Sequence, residues 1–261
     1  SVNFQYLFNN CSSLTGLDLS TFKGISINNS MASMFNNCVS LTSIDFSNLD
    51  ISYTIDSNRI FDGCRNNLKY LNLSNLEAKY IEDFSFMFKN IINLEILDLS
   101  NFKGSLVNNS MKGMFFNCNK LISLNLSNLD FSNTYSIENI FTGCYSLLYL
   151  NLSSYTTSYI NNFSYIFYDC TNLSVIDLTN FQGSKILNRM DFMFNNCKNL
   201  SQISLLNLDL TNTNNVSYMF NGCTSIKNIT MINMEESIIS DYTYMFNDCI
   251  SLEYINMSYF R

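Results

Sequence analysis

Nine cysteines are the first residues of this 261-residue chain whose chemistry calls for an account. Thiols can bridge as disulfides, ligate metals as thiolates, or pack as small apolar groups. Their spacing is regular, each following a phenylalanine by three residues: Phe8/Cys11, Phe35/Cys38, Phe61/Cys64, Phe115/Cys118, Phe141/Cys144, Phe167/Cys170, Phe194/Cys197, Phe220/Cys223 and Phe246/Cys249. A tenth pair is broken, with Ile91 in the cysteine position after Phe88. An odd count and replacement by isoleucine argue against a disulfide framework. No CxxC pair and no histidine accompany the thiols, so a metal centre has no ligand set of ordinary spacing. The expected role is a buried thiol ladder that fills small apolar volume.

A second set of candidates is polar. Asp18, Asp45, Asn72, Asp98, Asn125, Asn151 and Asp177 recur once per repeat, followed at the same position by Ser204, Thr230 and Asn256. Two residues later come Ser20, Ser47, Ser74, Ser100, Ser127, Ser153 and Thr179, then Leu206 and Ile232, then Ser258. On a strand these positions share one face. The chain is expected to display an Asp/Asn row beside a Ser/Thr row, either as a binding surface or as a ladder that keeps one sheet face solvated. Only Asp18 and Asp45 are carboxylates in consecutive repeats of the row, which is poor spacing for calcium.

Asn-x-Ser/Thr sequons begin at Asn10, Asn28, Asn72, Asn108, Asn125, Asn151, Asn162, Asn172, Asn199, Asn215, Asn228 and Asn256. These twelve compare with about eight by chance, given 42 Asn and 51 Ser plus Thr. They are glycan acceptors only in a eukaryotic secretory setting. No nucleophile elbow, glycine-rich phosphate loop or distinctive carboxylate pair interrupts the repeat, so no enzyme activity and no cofactor are expected.

The elements that must position these residues follow from a period of 26–27 residues, repeated ten times. Such a period is the mark of a solenoid, whose units bury their apolar faces against one another. In the second unit Met31, Met34, Phe35 and Cys38 fall at i, i+3, i+4 and i+7, which predicts a short helix. Asn28, Asn29 and Ser30 before it supply N-cap chemistry. Leu41 to Leu49 then alternates apolar and polar residues as a strand does. The fold class expected is an α/β repeat: a leucine-rich-repeat-like solenoid of ten coils, each with a short helix and one strand of a parallel sheet.

Three inward columns are expected. One is the ten phenylalanines; a second is Leu14, Leu41, Leu68, Leu94, Leu121, Leu147, Leu173, Leu200, Ile226 and Leu252. The third, on the return limb, is Phe22, Leu49, Leu76, Phe102, Leu129, Tyr155, Phe181, Leu208, Met234 and Phe260. Every third unit is most alike: Phe22-Lys23-Gly24 returns as Phe102-Lys103-Gly104 and Phe181-Gln182-Gly183. The resulting super-repeat of three coils is 79–80 residues long, lengthened once near Asn66-Asn67. It would display a surface feature roughly every 14–15 Å.

The pattern Met-Phe-x-x-Cys-x-x-Leu-x-x-Leu-Asp-Leu-Ser-x-Phe, carried by Met34 to Leu49 and by Met87 to Phe102, resembles the BspA-like leucine-rich repeats. It is most similar to the branch found in surface lipoproteins of mycoplasmas and other low-GC bacteria. The segment before the expected helix, Ile25 to Met31, departs from that family's Thr-Ser-x-Val-Thr-x-Met. The resemblance implies a surface, adhesion or host-interaction protein with no enzymatic centre.

Bulk properties fit this expectation. The formal charge is −7, from 14 basic and 21 acidic residues, with no basic run, so nucleic acid is not an expected partner. Pro, His and Trp are absent. No stretch reads as membrane-spanning. The chain begins and stops within the repeat pattern, so residues 1–261 are expected to be a single uncapped solenoid cut from a longer array. The function expected is extracellular or cell-surface adhesion, or interaction with protein or glycan; the rival is a fibre in which copies stack through their uncapped ends.

Overall fold

The computed structural model of the chain describes residues 2–19, 27, 29–46, 49–73, 78–99, 108–126, 129, 131–152, 159–178, 189–203, 205, 208, 210–231 and 238–257, and the backbone alone of 188 and 204. Its organising feature is a tight double turn around each phenylalanine. In the second coil Met34, Asn36 and Cys38 donate backbone N–H groups to Met31, Ser33 and Phe35 at 3.1, 3.2 and 3.1 Å. The alternate N–H groups, of Met31, Ser33, Phe35 and Asn37, donate to the carbonyls of Asp56, Asn58, Ile60 and Asp62 in the next coil at 2.7–2.9 Å. The backbone thus alternates its donors between its own turn and its neighbour.

This corrects the expected short helix. Among the described residues there is none. An α-helix would consume its N–H groups internally, i to i−4, and leave none on this limb to bond the adjacent coil. The i, i+3, i+4, i+7 apolar spacing survives because consecutive three-residue turns place the same four side chains inward. The cost is two left-handed residues per coil, at Ser33 (φ 56°) and Asn37 (φ 58°) in the second. Ser30, expected as part of an N-cap, opens the turn instead: its Oγ accepts the Ala32 N–H at 3.0 Å. Asn28 lies outside the described residues.

The sheet expected from the strand pattern is present and parallel. Tyr70–Asn72 pairs with Ile96–Asp98, and Tyr149–Asn151 with Val175–Asp177, residue for residue. Gln202–Ser204, Asn228–Met231 and Tyr254–Met257 form a three-stranded ladder in the same register. A second parallel ladder was not expected. Asn109–Ser110 pairs with Thr134–Ser136 and Asn188–Arg189 with Thr213–Asn215, and Ser30, Asp56, Asp83 and Ser110 are linked by successive bridges. One strand per coil was therefore an undercount for these coils; the chain also extends briefly as it enters the turn.

The core lies between these layers. The phenylalanine column forms one continuous stack from Phe8 to Phe246, with ring centroids 5.3–6.1 Å apart and planes within 14° of parallel. The leucine column is fully enclosed from Leu41 to Ile226, with Leu14 and Leu252 partly buried. Of the return-limb column, Leu49, Leu129 and Leu208 are buried; Phe22, Leu76, Phe102, Tyr155, Phe181, Met234 and Phe260 lie outside the described residues. So do the Phe-Lys-Gly and Phe-Gln-Gly segments at 22–24, 102–104 and 181–183.

The three-coil super-repeat has structural counterparts that its sequence markers did not include. Thr54, Thr134 and Thr213 are completely buried on the return limb of every third coil. Each closes the same turn, donating its N–H to Ile51, Phe131 and Leu210 at 2.9 Å. The extra residue near Asn66-Asn67 is absorbed as a bend, and Asn93 of the next coil donates through Nδ2 to the carbonyls of both Arg65 and Asn66 at 2.9 Å.

Candidate functional site

The thiols sit where the turn packs against its predecessor. Cys38, Cys64, Cys118, Cys144, Cys170, Cys197 and Cys223 are buried, Cys249 is partly so and Cys11 is exposed; all nine are free thiols. They do more than fill space. Each Sγ–H from Cys38 onward donates to the carbonyl of the phenylalanine one coil earlier, at 3.0–3.2 Å. Burial pushes Cys38 and Cys249 up to about 11 and Cys64 and Cys144 up to about 12. It holds Cys118, Cys170, Cys197 and Cys223 well above the ordinary thiol value. Thiols held protonated are poor nucleophiles and poor ligands. Among the described residues no group of three or more Cys, Asp or Glu is placed to hold a metal ion.

A carboxylate pair that the sequence reading missed lies on the second ladder. Asp56 and Asp83 bridge through their backbones on consecutive coils. Both act as turn caps, Asp56 Oδ1 accepting the Asn58 N–H at 2.9 Å and Asp83 Oδ1 the Ser85 N–H at 2.7 Å. Asn58 Nδ2 also donates to Asp83 Oδ2 at 3.0 Å, and Ser30 Oγ to Asp56 Oδ2 at 3.3 Å. Burial pushes the Asp56 carboxyl above its ordinary value; the Asn58 N–H opposes this and the Asp83 charge adds to it. With their oxygens occupied by cap bonds, the pair organises backbone.

The Asp/Asn positions expected on the open sheet face pair between coils where strands are formed. Asn72 stands beside Asp98 and Asn151 beside Asp177 in register, with Asn256 opposite Thr230. Asp18, Asp45, Asn72, Asn125 and Asn151 are exposed; Asp98, Asp177 and Asn256 are half-buried. Each has a hydrogen-bond or electrostatic partner. Its Ser/Thr companion, from Ser20 to Ser258, lies outside the described residues.

Among the sequon asparagines Asn28 lies outside the described residues and Asn256 is half-buried. Asn10, Asn72, Asn108, Asn125, Asn151, Asn172, Asn199 and Asn228 are exposed. Asn162 and Asn215 are half-buried turn caps, their Oδ1 atoms accepting the N–H groups of Ser164 and Ser217 at 3.0 and 2.8 Å. A glycan would attach at Nδ2 and leave these Oδ1 acceptors in place. Asn199 Nδ2 donates to Asn172 Oδ1 at 3.2 Å, and Asn37 Nδ2 to Asn10 Oδ1 at 3.2 Å.

Sequence reasoning missed the apolar side chains on the open face. Tyr70, Ile96, Ile122, Leu148, Tyr149 and Val175 are 48–58% exposed there. Their signal was available: these residues precede the buried strand position by one or two places, where the second coil has Thr42 and Ser43.

Comparisons with solved structures give leucine-rich-repeat proteins. One from Bacteroides ovatus is 14% identical, with a TM-score of 0.40, over 89% of this chain and 64% of the other. One from Eubacterium ventriosum is 12% identical, with a TM-score of 0.35, over 84% and 80%. An internalin from Listeria monocytogenes is 13% identical, with a TM-score of 0.30, over 96% and 88%. The chain thus spans less than two thirds of the Bacteroides protein's length. No curated protein matches the chain. The model of the family described as "Mycoplasma protein of unknown function, DUF285" matches residues 1–72, 29–148, 55–176, 82–205 and 146–259. That accords with the BspA-like resemblance of the repeat pattern, and since the overlapping matches run almost from end to end, this chain belongs to the DUF285 family.

Proposed function

We propose that the chain is a non-enzymatic repeat protein of the cell surface or extracellular space, which makes adhesive contacts with protein or glycan through its solenoid surface. The observation that carries this reading is the open sheet face, where Asn72, Asp98, Asn151 and Asp177 stand in register, exposed or half-buried, on stacked coils. Stacking is carried by the inward columns and by backbone bonds between coils, which leaves the side chains of this outward face available for recognition at the fixed intervals of a rigid parallel ladder. The contact residues proposed are Asp18, Asp45, Asn72, Asp98, Asn125, Asn151 and Asp177. The exposed sequons, Asn72, Asn125 and Asn151 among them, carry glycan only where a eukaryotic secretory pathway makes the protein. In that case glycan would cover part of this same face.

The test coats beads with the purified chain and counts their retention on animal epithelial cells and on a glycan array, beside albumin-coated beads. Retention above albumin, reduced at least threefold by the combined substitutions Asp45→Ala, Asp98→Ala and Asp177→Ala, is the expected result. Retention equal to albumin on every surface would sink the adhesive reading. Polymers that grow with concentration in sedimentation would favour the fibre reading instead.

A further inference from the structure

We propose that the open sheet face carries a bounded apolar strip over coils three to seven, which docks a protein segment presenting an apolar ridge edged by lysine or arginine. The proposal rests on the surface-interaction reading above and names the partner's chemistry. Tyr70 is paired with Ile96, and Tyr149 with Val175, on neighbouring strands. Between them the strip moves over by one residue: the Leu148 N–H donates to the Ile122 carbonyl at 3.0 Å, while Ser123 pairs with Tyr149. All six apolar side chains are about half exposed. Single exposed apolar residues are ordinary, whereas one or two on each of five successive coils are not. From the third coil to the seventh it extends roughly 19 Å at about 4.8 Å per coil.

The strip is delimited. Gly16 and Ser43 hold the equivalent place in the first two coils, and Gln202 and Asn228 hold it in the eighth and ninth. Tyr254 of the tenth coil is again an exposed aromatic in this place, but coils eight and nine separate it from the strip.

Charge selects the occupant. Along one margin lie Asn72, Asp98, Asn125, Asn151 and Asp177, and along the other Glu95 outlies Ile96. Lys69, beside Tyr70, is the one basic residue among these positions. A second copy of the chain would set acidic margin against acidic margin, which costs association. An anionic lipid surface is repelled by the same margin and by a net charge of −7. Ile96, Ile122, Leu148 and Val175 offer a glycan's hydroxyls no hydrogen bonds. An apolar ridge flanked by basic side chains meets both features at once.

The probe is a fluorescent amphipathic peptide of leucine and lysine, about 18 residues long and so roughly 27 Å as a helix, compared with its leucine/glutamate counterpart. Anisotropy titration should show the lysine peptide binding at least tenfold more tightly. The combined variant Ile96→Ser, Leu148→Ser, Val175→Ser should weaken it at least tenfold with an unchanged circular dichroism spectrum. A second variant, Asp98→Lys with Asp177→Lys, should invert the preference toward the glutamate peptide, which a merely misfolded chain would not do. Absence of binding, equal binding of the two peptides, or indifference to the serine variant overturns the strip. The bead assay separately decides the broader reading: coated beads that adhere while the peptide fails leave adhesion standing without this site.

Discussion

The turn at the edge of each coil carries two columns of side chains, one facing in and one facing out. The inner column is phenylalanine in every coil from Phe8 to Phe246. The outer column runs Tyr6, Ser33, Arg59, Phe86, Gly113, Asn139, Tyr165, Phe192, Tyr218 and Tyr244, all at φ between 54° and 61°. Both columns recur once per coil, yet only the inner one keeps its residue type, and of the two only the outer one carries the left-handed backbone. The inner position is enclosed on all sides, so a change of volume there is felt at once. The outer position asks only that a left-handed backbone be tolerated, and its side chains have diverged into different chemistries. Near the N-terminus the Arg59 guanidinium lies 4.7 Å from the Phe86 ring centre, with Lys89 at 5.1 Å. Near the C-terminus Tyr165, Phe192 and Tyr218 stack at 4.7 and 4.6 Å. Uniformity between coils therefore marks packing, and divergence marks surface that is free to take on function.

The largest break between the columns should come from pH. A thiol whose value is raised in the fold binds its proton more tightly there than in the unfolded chain. Its contribution is complete below the ordinary value of 9.0 and is lost as pH rises through the folded values of about 11 to 12. Above pH 9 each deeply buried thiol contributes a loss of up to about 1.4 kcal/mol per pH unit. Cys64, Cys118, Cys144, Cys170, Cys197 and Cys223 all share this burial, so the losses accumulate. Urea midpoints measured from pH 7 to pH 11 should hold until about 9 and then fall steeply. A chain with Cys118, Cys144 and Cys170 changed to alanine should start less stable but decline less steeply. An unchanged slope would mean that the thiols are not buried as described.

Next in size is a hole in the inner stack. Phe141 is enclosed between Phe115 and Phe167 at 5.5 and 5.7 Å. Phe141→Ala should cost about 3–5 kcal/mol, read as a lower urea midpoint. Because repeat arrays lose cooperativity when an interior unit is weakened, amide exchange should rise first in the coils around 115–167. A uniform rise along the whole chain would show that the stack unfolds as one body.

Smaller effects come from glycine in the column preceding the cysteines. Gly63, Gly143 and Gly222 have φ of 79°, 71° and 74°, and a Cβ on each would overlap the side-chain oxygen of Asn37, Asn117 and Asn196 in the previous coil. Gly143→Ala should therefore cost about 1–2 kcal/mol from the left-handed backbone, and more if Asn117 cannot move. Adding Asn117→Gly should recover part of that loss. Failure to recover any would place the whole cost in the backbone.

This glycine column also shows what was and was not legible in the sequence. The inner stack and the parallel ladder could be read because their periodicity is that of the side chains. The helix could not be told from a double turn, since Met31, Met34, Phe35 and Cys38 satisfy both geometries. The distinguishing signal was the residue before each cysteine or its Ile91 counterpart: Asn10, Asn37, Gly63, Asn90, Asn117, Gly143, Asp169, Asn196, Gly222 and Asp248. Those are the types that best tolerate a left-handed backbone, and once per coil they forbid a continuous helix. The thiol donor ladder was hidden because small-volume filling and hydrogen bonding select the same residue. The apolar strip was overlooked because its members hold two different places in the repeat, Ile96 one residue and Ile122 two residues before the buried strand position.

The smallest effect belongs to the outer column. Phe86→Ala removes the ring under Arg59 and Lys89 but leaves Arg59 paired with Asp62 at 2.9 Å. An exposed cation–π contact contributes about 0.5–1 kcal/mol, so stability should fall by no more than that. The same ring occupies the space a Cβ on Gly113 would need. Gly113→Ala should thus be harmful in the native chain and milder beside Phe86→Ala, which a double-mutant cycle measures as coupling. Coupling near zero would mean that the outer column is tied together by backbone alone. Coupling comparable to a break in the phenylalanine stack would mean that the two columns differ in residue type but not in how tightly they constrain the coil.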